Sequence, residues 1–308
     1  MNFTLHQLKV FTVVVEKESI TKASEELNMS QPAVSIQLRN LQDQFDIPLT
    51  EVIGRKLYVT DFGKELYQIA EKILEDVSGI TYRTQSFRGI LSGRLKISVV
   101  STGKYVMPYY LKHFIKDNPE VDIRMDVTNR TKVIESLENN EVDFSLVSVL
   151  PENLSVSHEV LMPNKLFLAA SPDAGFHAKK TFTKSVFDTI PLIFREEGSG
   201  TRYKMQQYFK NVHVIPKVKL ELTSSEAVKQ AVMAGLGCSV LSLLSMKSEL
   251  KEKELQIIPV KGFPIHSNWM LIWLKKKKFS LVAQAYLDYI RKNKSAIYSE
   301  HFKWTEKY

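Results

Sequence analysis

Two short helical patterns joined by a tight turn occupy residues 21–45 and constrain the fold of this chain more than any other feature. In the first pattern Ala23 and Leu27 are four residues apart, so both face one side of a helix, and Thr21 stands before them as an N-cap. In the second, Ser30 is the N-cap and a proline lies in the first helical turn, where proline is tolerated. Two capped helices with a short turn between them predict a helix-turn-helix.

The second helix of this pair has a buried stripe and a free outer face. The stripe has helical spacing and consists of Val34, Leu38, Leu41 and Phe45. Glutamine can bond bidentately to adenine, serine bonds to several base edges, an apolar side chain meets a thymine methyl, and arginine reaches phosphate. We therefore expect DNA contacts from Ser30, Gln31, Pro32, Ser35, Ile36 and Arg39. The alternative, an uncharged surface helix in a small bundle, leaves the coincidence of two caps and a short turn unexplained.

A short β-hairpin, or wing, is predicted after the two helices. Apolar residues alternate around Leu57 and Val59, and Gly54, Arg55 and Lys56 stand at the tip. A basic tip beside a recognition helix would meet the sugar-phosphate backbone, so Arg55 and Lys56 join the expected DNA contacts. The chain has a net charge of +8, but residues 1–92 hold 10 basic and 12 acidic side chains, a net of −2. DNA binding must therefore depend on local placement of charge.

The stretch LHQLKVFTVVVEKESITKASEELNMSQPAVSIQLRNLQ, with the hairpin ending in GRKLYVTDFG, resembles the N-terminal domain of LysR-type transcriptional regulators. The resemblance runs without a gap over about sixty residues and implies a winged helix-turn-helix domain in residues 1–60. Three positions depart from the family pattern, which usually has Arg in place of Ile36 and Phe and Arg in place of Thr50 and Val52. We expect Ile36 to change the operator preference, and the other two residues to change how the wing packs.

A long helix is predicted over residues 61–88, capped by Thr60. Its apolar residues form nearly a heptad seam: Phe62, Leu66, Ile69, Ile73, Val77 and Ile80. A second copy of the chain is the simplest partner for such a seam, and the family resemblance implies the same, a linker helix at 61–90 that pairs in a homodimer or homotetramer and places two recognition helices on an inverted repeat. Packing on the chain's own C-terminal domain is the alternative. Two glycines in RGILSGR, residues 88–94, mark the domain boundary.

From Leu95 onward strand patterns alternate with helix patterns, which predicts parallel strands with helices on both faces. Two such α/β halves resemble the periplasmic-binding-protein architecture, with a ligand crevice at the carboxyl ends of the strands. The predicted fold class is a multidomain α+β protein: a winged helix-turn-helix, a linker helix and a two-subdomain effector domain at 91–308. Subdomain I is expected at about 94–164 and 267–292, and subdomain II at about 165–266. The last helix is expected at about 280–292, and the residues after it are left unassigned.

Within this region STGKYVMPYYLKHFIKDNPEVDI, REEGSGTRYKMQQYF and KLELTSSEAVKQAVMAGLGCSVLS look like the effector domain of the Calvin-cycle (RuBisCO operon) branch of the family. The resemblance covers most of residues 94–292. It implies control of carbon-fixation or central-metabolism genes and an effector such as a sugar phosphate or a reduced nicotinamide nucleotide. Regulators of sulfur and nitrogen metabolism share parts of these motifs, so they remain the alternative.

Residues that suit anion binding recur where the predicted strands end. Lys104, Arg130, Arg195 and Arg202 favour an anionic ligand, since guanidinium groups bind phosphate and carboxylate bidentately. Glu196 and Glu197 count against a highly charged anion unless they point away. Each hydroxyl alone is better explained as a helix cap, and it is the recurrence that predicts a site. The expected effector-binding residues are Ser101, Thr102, Gly103, Asn129, Arg130, Ser148, Gly198, Ser199, Gly200, Thr201, Arg202, Thr223 and Ser224.

Catalysis, a metal and a resident cofactor are not expected. GSGT at 198–201 does not supply the G-x-x-x-x-G-K-[ST] pattern of a phosphate-binding loop, the seven histidines lack metal-ligand spacing, and no base is placed beside a nucleophile. No secretory signal or membrane-length apolar run is apparent, and Cys238 is the single cysteine, so we expect a cytoplasmic protein. A solute-binding protein without regulatory output is the alternative of a different class. It does not account for the helix-turn-helix.

Overall fold

The computed structural model describes residues 2–54, 56–86, 89–176 and 181–308. The chain divides into two compact units, Met1–Ile90 and Leu91–Tyr308. The elements of the first unit are three short helices, a hairpin and a long helix: α1 (Leu5–Lys17), α2 (Ile20–Glu26), α3 (Gln31–Gln42), β1 (Thr50–Ile53), β2 (Lys56–Val59) and α4 (Asp61–Ser86). Fully buried side chains from α1, α2 and α3 form its core, among them Val10, Phe11, Val14, Ala23, Val34 and Leu41.

The helix caps of the first unit agree with the sequence in two of three places. Ser30 caps α3, where its hydroxyl accepts a hydrogen bond from the Ala33 N–H at 3.4 Å. The Thr60 hydroxyl accepts from the Gly63 N–H at 3.0 Å at the start of α4. The prediction of Thr21 as the cap of α2 is wrong, because Ser19 has the extended backbone that a cap requires and its hydroxyl accepts from Lys22.

The turn of the hairpin determines the register of its two strands. β1 and β2 are antiparallel, and their register pairs Thr50 with Val59 and Ile53 with Lys56. Only residues 54 and 55 separate the strands, and Gly54 has φ of +68°, a conformation that two-residue hairpin loops need. Lys56 is therefore the first residue of β2 rather than part of the turn. Arg55, the other residue of the basic tip, lies outside the described residues.

The apolar seam of α4 does not form one continuous stripe. Leu66 and Ala70 are buried against the core of the first unit, and Ile73 is partly buried there. Ile69 and Ile80 are 56% and 66% exposed, and Val77 is also exposed. The N-terminal part of the seam therefore belongs to the core of its own domain, since a straight α-helix rotates away from a seven-residue repeat. The exposed apolar side chains of Ile69, Val77 and Ile80 lie outside that core.

The second unit carries the remaining helices and strands. They are β3 (Gly93–Val100), α5 (Met107–Asp117), β4 (Val121–Thr128), α6 (Arg130–Glu138), β5 (Phe144–Val147), β6 (Val156–Ala170), β7 (Leu192–Arg195), α7 (Gly200–Val212), β8 (Val218–Leu222), α8 (Ser225–Met233), β9 (Ser239–Ser242), α9 (Lys247–Lys251), β10 (Gln256–Ile257), β11 (Ile265–Leu274) and α10 (Leu281–His301). The first half of this unit comprises β3, β4, β5, α5, α6 and α10, and the second half comprises β7, β8, β9, α7, α8 and α9.

Two long strands cross between these halves. In the first half β3 is parallel to both β4 and β5, and in the second half β7 is parallel to β8. β6 and β11 are antiparallel to each other over their length, and β6 continues to pair with β9 and β10. The prediction of parallel strands is thus correct within each half and wrong at the crossing strands. Parallel neighbouring strands need a crossover connection, usually a helix. β6 and β11 instead run from one half into the other, and they pair antiparallel.

Each half has its own apolar core. The core of the first half contains Tyr110, Phe144 and Trp269, all fully buried. The core of the second half is built in two parts, around Phe187 and Phe209 between its sheet and α7, and around Val228 and Val232 on α8. These close-packed cores position the strand ends of both halves.

The end of the chain is ordered further than the sequence pattern predicted. α10 continues to His301 instead of ending near residue 292, and a single helical turn, Lys303–Lys307, comes after it. Ile297, Phe302 and Thr305 are buried, and the ring of Phe302 stacks on Tyr110 at 6.1 Å between centroids. These contacts hold the last two turns of the helix against the first half.

Candidate DNA-reading surface and effector crevice

The outer face of α3 carries the side chains that the sequence singled out for DNA contact. Gln31, Pro32 and Arg39 are exposed, and Ile36 is 54% exposed, a large fraction for an isoleucine. Ser35 is half-buried on the same face. The Ser30 hydroxyl is occupied as the N-cap of α3. The structure therefore brings these residues to one accessible surface, and the buried stripe beneath them fixes the helix against α1.

Gln31 is held in place by Thr21, the residue whose capping role was predicted wrongly. The Gln31 Nε2 donates a hydrogen bond to Thr21 Oγ1 at 3.0 Å, across the turn between α2 and α3. One N–H and the Oε1 oxygen of the Gln31 amide stay free, which is the donor and acceptor pair that an adenine edge requires. Sequence spacing alone did not reveal this contact. Its only signal was a hydroxyl on the exposed side of α2.

Among its described residues, the wing presents one basic side chain and several exposed apolar side chains. Lys56 is exposed at the start of β2. Val52 is 67% exposed and Ile53 is 64% exposed. Because it is so exposed, the Val52 side chain takes no part in the core. The family usually has Arg at this position, so Val52 removes a positive charge from the wing. Thr50 is half-buried at the base of the hairpin.

In the second unit, the start of α6 and the loop before α7 touch each other across the two halves. At Gly198, where φ is +83°, an added Cβ would lie 2.4 Å from Thr131 Oγ1 and 3.9 Å from Asn129 Nδ2. At Gly200 it would lie 3.7 Å from Arg130 Cδ and 3.8 Å from Ser148 Oγ. The N-termini of two helices therefore meet here, and the first turn of a helix has backbone N–H groups without intrahelical partners, a feature that suits an anion.

Arg130 is the cation that remains available at this meeting point. Its guanidinium donates to the carbonyls of Val149 at 3.4 Å and Leu150 at 3.1 Å, and it lies 5.4 Å from the centroid of the Tyr203 ring. Among the described residues, no carboxylate lies within salt-bridge distance of it. The Tyr203 hydroxyl donates to Glu152 Oε1 at 2.5 Å, and this hydrogen bond raises the pKa of the tyrosine. Tyr203 belongs to α7, so the contact joins the two halves.

The other two arginines, Arg195 and Arg202, have carboxylate partners in the structure. Arg195 is 6% exposed, and its guanidinium donates twice to the Glu196 carboxylate, both at 2.7 Å. Arg202 donates to Glu221 Oε2 at 2.5 Å and pairs with Glu197 at 2.5 Å. The glutamates that counted against an anion site are thus held by these arginines. The charge of both arginines is balanced inside the second half.

Four of the predicted polar side chains cap or brace an element. Ser199 is 4% exposed and accepts from the Arg202 N–H at 3.4 Å, Ser224 accepts from Ala227 at 3.4 Å, and Asn129 accepts from Lys132 at 3.1 Å. The Ser101 hydroxyl donates to the Thr128 carbonyl at 3.1 Å.

The rest of the predicted effector-binding set shows no such common use. Gly103 is buried, and an added Cβ there would lie 2.6 Å from Val99 Cγ1, so its small size serves packing. Thr102, Ser148 and Thr201 are half-buried, and Thr223 is exposed between β8 and α8. Lys104 is exposed and lies 5.2 Å from the centroid of the Tyr105 ring.

A second contact between the halves lies beyond the Ser101 turn. The Tyr105 hydroxyl donates to Glu226 Oε2 at 3.1 Å, and Glu226 pairs with Lys229 at 3.1 Å. Lys229 is 6% exposed and also bonds to Glu249 at 2.5 Å. Burial alone would lower the pKa of Lys229, but hydrogen bonds to the two glutamates outweigh it and raise the pKa. Burial raises the pKa of Tyr105 to about 12, so this hydroxyl stays a donor.

Metal and membrane chemistry find no support in the described part of the chain. No group of three or more His, Cys, Asp or Glu side chains there could hold a metal ion. Within the same residues, every helix is too short or too polar to cross a bilayer. Cys238 is buried, and burial raises the pKa of its thiol to about 11, so it remains protonated.

Known protein families match the two units separately. The model for bacterial regulatory helix-turn-helix proteins of the lysR family matches residues 5–64, and the model for the LysR substrate binding domain matches residues 88–295. The chain is 35% identical over 296 residues to the HTH-type transcriptional activator CmpR of Synechocystis sp., covering 96% of this chain and 97% of that protein. It is also 35% identical over 290 residues to the RuBisCO operon transcriptional regulator of Allochromatium vinosum, covering 94% and 96%.

Two solved structures extend this comparison. The regulatory domain of CcmR from Synechocystis PCC6803, in complex with 2-PG, matches with a TM-score of 0.63 and 35% identity and covers 65% of this chain and 97% of that domain. Full-length CbnR bound to its target DNA matches with a TM-score of 0.73 over 94% of this chain and 99% of that chain. At 19% identity, the second match shows the fold alone.

A helix-turn-helix unit joined to a two-half ligand-binding unit defines a DNA-binding transcriptional regulator with an effector-binding domain. The chain belongs to the LysR family. The predicted family and fold class are thereby confirmed, and so is the expectation of a regulator rather than an enzyme, since the relatives are named as transcriptional regulators.

Proposed function

We propose that this regulator controls genes of carbon acquisition or carbon fixation in response to a small anionic metabolite, with 2-phosphoglycolate as the first candidate. The pathway is supported by 35% identity over nearly the whole chain to CmpR and to a RuBisCO operon regulator. The ligand is supported by the 2-PG complex of the CcmR regulatory domain. The relatives described above are not named for sulfur or nitrogen assimilation, the alternatives left by the sequence.

The observation that carries the ligand proposal is the position of Arg130. It stands at the start of α6, where the N-terminus of α7 faces it, and its charge has no carboxylate partner among the described residues. A guanidinium and two helix N-termini suit a ligand with a phosphate at one end and a carboxylate at the other. We place that ligand among the strand-end residues around this meeting point: Thr102, Asn129, Arg130, Ser148, Gly198, Gly200 and Thr201.

The test is calorimetric titration of the full chain with 2-phosphoglycolate, with glycolate and inorganic phosphate as ligands that each lack one end. We expect Arg130→Gln to weaken binding of 2-phosphoglycolate at least tenfold, about 1.4 kcal/mol, because a neutral amide cannot replace the bidentate charge. Lys132→Gln, an exposed cation on the same helix, is the control and should bind normally. Equal binding by wild type and Arg130→Gln would remove Arg130 from the site.

For DNA we propose that α3 enters the major groove. In this arrangement Gln31, Ser35 and Ile36 meet base edges, with Ile36 against a thymine methyl, and Thr21 orients Gln31. Arg39, Lys56, Arg55 and the N-terminal turn at Ser30 and Pro32 meet the phosphate backbone. Because the target is chromosomal DNA, the protein acts in the cytoplasm.

We further propose that residues 61–90 form the dimerisation helix between the DNA-binding domain at 1–60 and the effector domain at 91–308. The support is the exposed apolar face of α4 at Ile69, Val77 and Ile80. A second copy would cover it and place two α3 helices on an inverted repeat. Effector binding then changes DNA affinity by as much as its affinity differs between two arrangements of the dimer. Sedimentation of Ile69→Glu/Ile80→Glu should show a smaller assembly than wild type.

A further inference from the structure

The segment after α10, residues 302–308, lies across the junction of the two halves, and we call it the strap. Phe302 anchors it to the first half, where it is 2% exposed and packs edge-on against Tyr109 at 5.2 Å and on Tyr110. The LysR substrate-binding model ends at residue 295, so the strap lies beyond the matched region. None of its residues belongs to the DNA-reading surface or to the crevice.

Trp304 in the strap touches both halves. It packs against the core of the first half and also against the α8 part of the core of the second half. The Lys247 ammonium, at the start of α9, lies 5.1 Å from the centroid of its ring. An indole shared between two cores resists their separation, since opening them would expose part of its apolar surface.

Lys165, on the crossing strand β6, forms hydrogen bonds with the strap. Its Nζ donates to the Thr305 carbonyl at 3.1 Å and to the main-chain oxygen of Tyr308 at 2.7 Å. Hydrogen bonds from a charged donor are stronger than neutral ones. The strap is thus bonded to the strand that runs through both halves, close to the place where the halves separate.

The strap is fastened at its ends but does not fill the space beneath it. A cavity of about 250 Å³ lies between the strap and β6. It is lined by Leu243, whose side chain belongs to the second half's core, and by Leu244, which belongs to the first half's core. A void at a junction leaves room for small movements, because the atoms around it lack neighbours on one side.

From these contacts we infer that the strap fixes the angle between the two halves, with Trp304 and Lys165 as its positioning residues. The halves already meet at Gly198 and Tyr203, and the strap holds them there before any ligand arrives. Effector binding therefore starts from a preformed crevice. Loosening the strap lowers the fraction of molecules in the binding arrangement, and the apparent Kd rises in inverse proportion to that fraction.

The test measures the distance between spin labels in the full chain without ligand. Labels are placed at Glu138→Cys on α6 and Lys210→Cys on α7, both exposed and at the helix ends far from the crevice. Cys238 is buried and remains a thiol, so it does not compete for label. We expect Lys165→Met and Trp304→Ala to broaden the distance distribution relative to the doubly labelled wild type.

Two variants separate the role of the strap from general damage. Trp304→Phe keeps a ring between the cores, and Lys303→Met changes an exposed strap lysine, so both should give the wild-type distribution. Lys165→Met retains its aliphatic stem, which keeps the chain folded if Trp304→Ala fails to fold. Unchanged distributions in both Lys165→Met and Trp304→Ala would overturn the inference.

A second test measures the Kd of 2-phosphoglycolate. It rests on the proposed function and is interpreted separately from the distance measurement. If 2-phosphoglycolate binds wild type, Lys165→Met should raise its Kd about fivefold, as a fall of the closed fraction to about one fifth would require. An unchanged Kd in that variant would also count against the strap. If wild type does not bind 2-phosphoglycolate at all, the proposed ligand fails, while the distance measurement still decides the strap.

Discussion

The N-terminal ends of α3 and of α7 look alike in the sequence and differ in the structure. Both begin with a serine cap and both carry polar residues in their first turns, Gln31 in α3 and Thr201 and Arg202 in α7. At α3 the outer side chains remain exposed, and the bond from Gln31 to Thr21 directs the amide without covering it. At α7 the cap is 4% exposed, and Arg202 is bound to two carboxylates. A polar helix end is therefore free to bind a ligand only where distant parts of the chain leave it free.

The difference also separates what each end can do. α3 presents a surface that is complete before its partner arrives, which suits recognition of a rigid groove. The start of α7 has its partners inside the protein. In the proposed site it contributes backbone N–H groups and glycines, and Arg130 on α6 contributes the charge, so the proposed site depends on helices from both halves.

The largest effect is expected from Gly198→Ala, which tests whether the approach of α7 to α6 is needed for binding. A Cβ at this position would lie 2.4 Å from Thr131 Oγ1, so the loop must move away from α6. We expect the Kd of 2-phosphoglycolate to rise about a hundredfold, about 2.7 kcal/mol, in calorimetric titration. Gly235→Ala is the matched control.

Gly235 also has a positive φ, +74°, but an added Cβ would have no atom within 4 Å. Both variants therefore carry the backbone strain of alanine in the left-handed region, and only Gly198→Ala meets a neighbour. Equal Kd values in the two variants would show that the close approach at Gly198 has no part in binding.

Arg202→Gln tests the claim that this arginine serves the fold. Removing it leaves Glu197 and Glu221 without their cation and breaks the 2.7 Å bond to the Arg195 carbonyl. We expect the free energy of unfolding to fall by about 1–3 kcal/mol, measured by urea denaturation of the full chain. The Kd of 2-phosphoglycolate should change less than twofold in the folded protein. A large loss of binding with unchanged stability would return Arg202 to the crevice.

The sequence was sufficient where the determining contacts are local. Ser30, Pro32 and the stripe at Val34, Leu38 and Leu41 specify α3 within a dozen residues, so the helix and its exposed outer face were predicted from the sequence. Its end was not, because α3 stops at Gln42 and not at Phe45. The alternation of strands and helices likewise indicated which residues come after each strand of the second unit. Boundaries that depend on packing were less accurate, since α10 runs nine residues beyond its predicted end to His301, whose ring contacts Tyr109.

Contacts between distant positions were beyond a reading of local pattern. Arg202 meets Glu221 nineteen residues later, and Tyr203 meets Glu152 fifty-one residues earlier. Propensity and spacing describe neighbours in the chain, whereas these pairs depend on how the two halves are placed by their cores. The hydrogen bond between Gln31 and Thr21 could not be predicted for the same reason. A hydroxyl at position 21 is explained equally well as a helix cap.

Gln31→Ala and Thr21→Val together test whether α3 is directed by α2. Gln31→Ala should weaken operator binding by about 1–3 kcal/mol with little effect on random DNA, measured by fluorescence anisotropy at fixed salt. Thr21→Val should weaken operator binding less, by about 1 kcal/mol, since the amide stays but loses its orientation. Thr21→Ser keeps the hydroxyl and should restore most of that loss.

The double variant gives the decisive comparison. If Thr21 acts through Gln31, Gln31→Ala/Thr21→Val should bind no more weakly than Gln31→Ala alone. Additive losses would mean that Thr21 contacts DNA or stabilises the fold on its own. If Gln31→Ala itself weakens operator and random DNA equally, Gln31 does not read bases, and the role given to Thr21 falls with it.

The smallest effect is expected at the wing, where Lys56 offers a single charge to the DNA backbone. Lys56→Gln should lower the slope of log K against log salt by about 0.9, the contribution of one phosphate contact on duplex DNA, and should weaken operator and random DNA to the same extent. Lys64→Gln is the control, because Lys64 already pairs with Asp61 at 2.8 Å, and its slope should stay close to that of wild type. An unchanged slope for Lys56→Gln would mean that Lys56 does not reach the backbone. In that case Arg39 on α3 and Arg55 would have to account for the ionic part of binding.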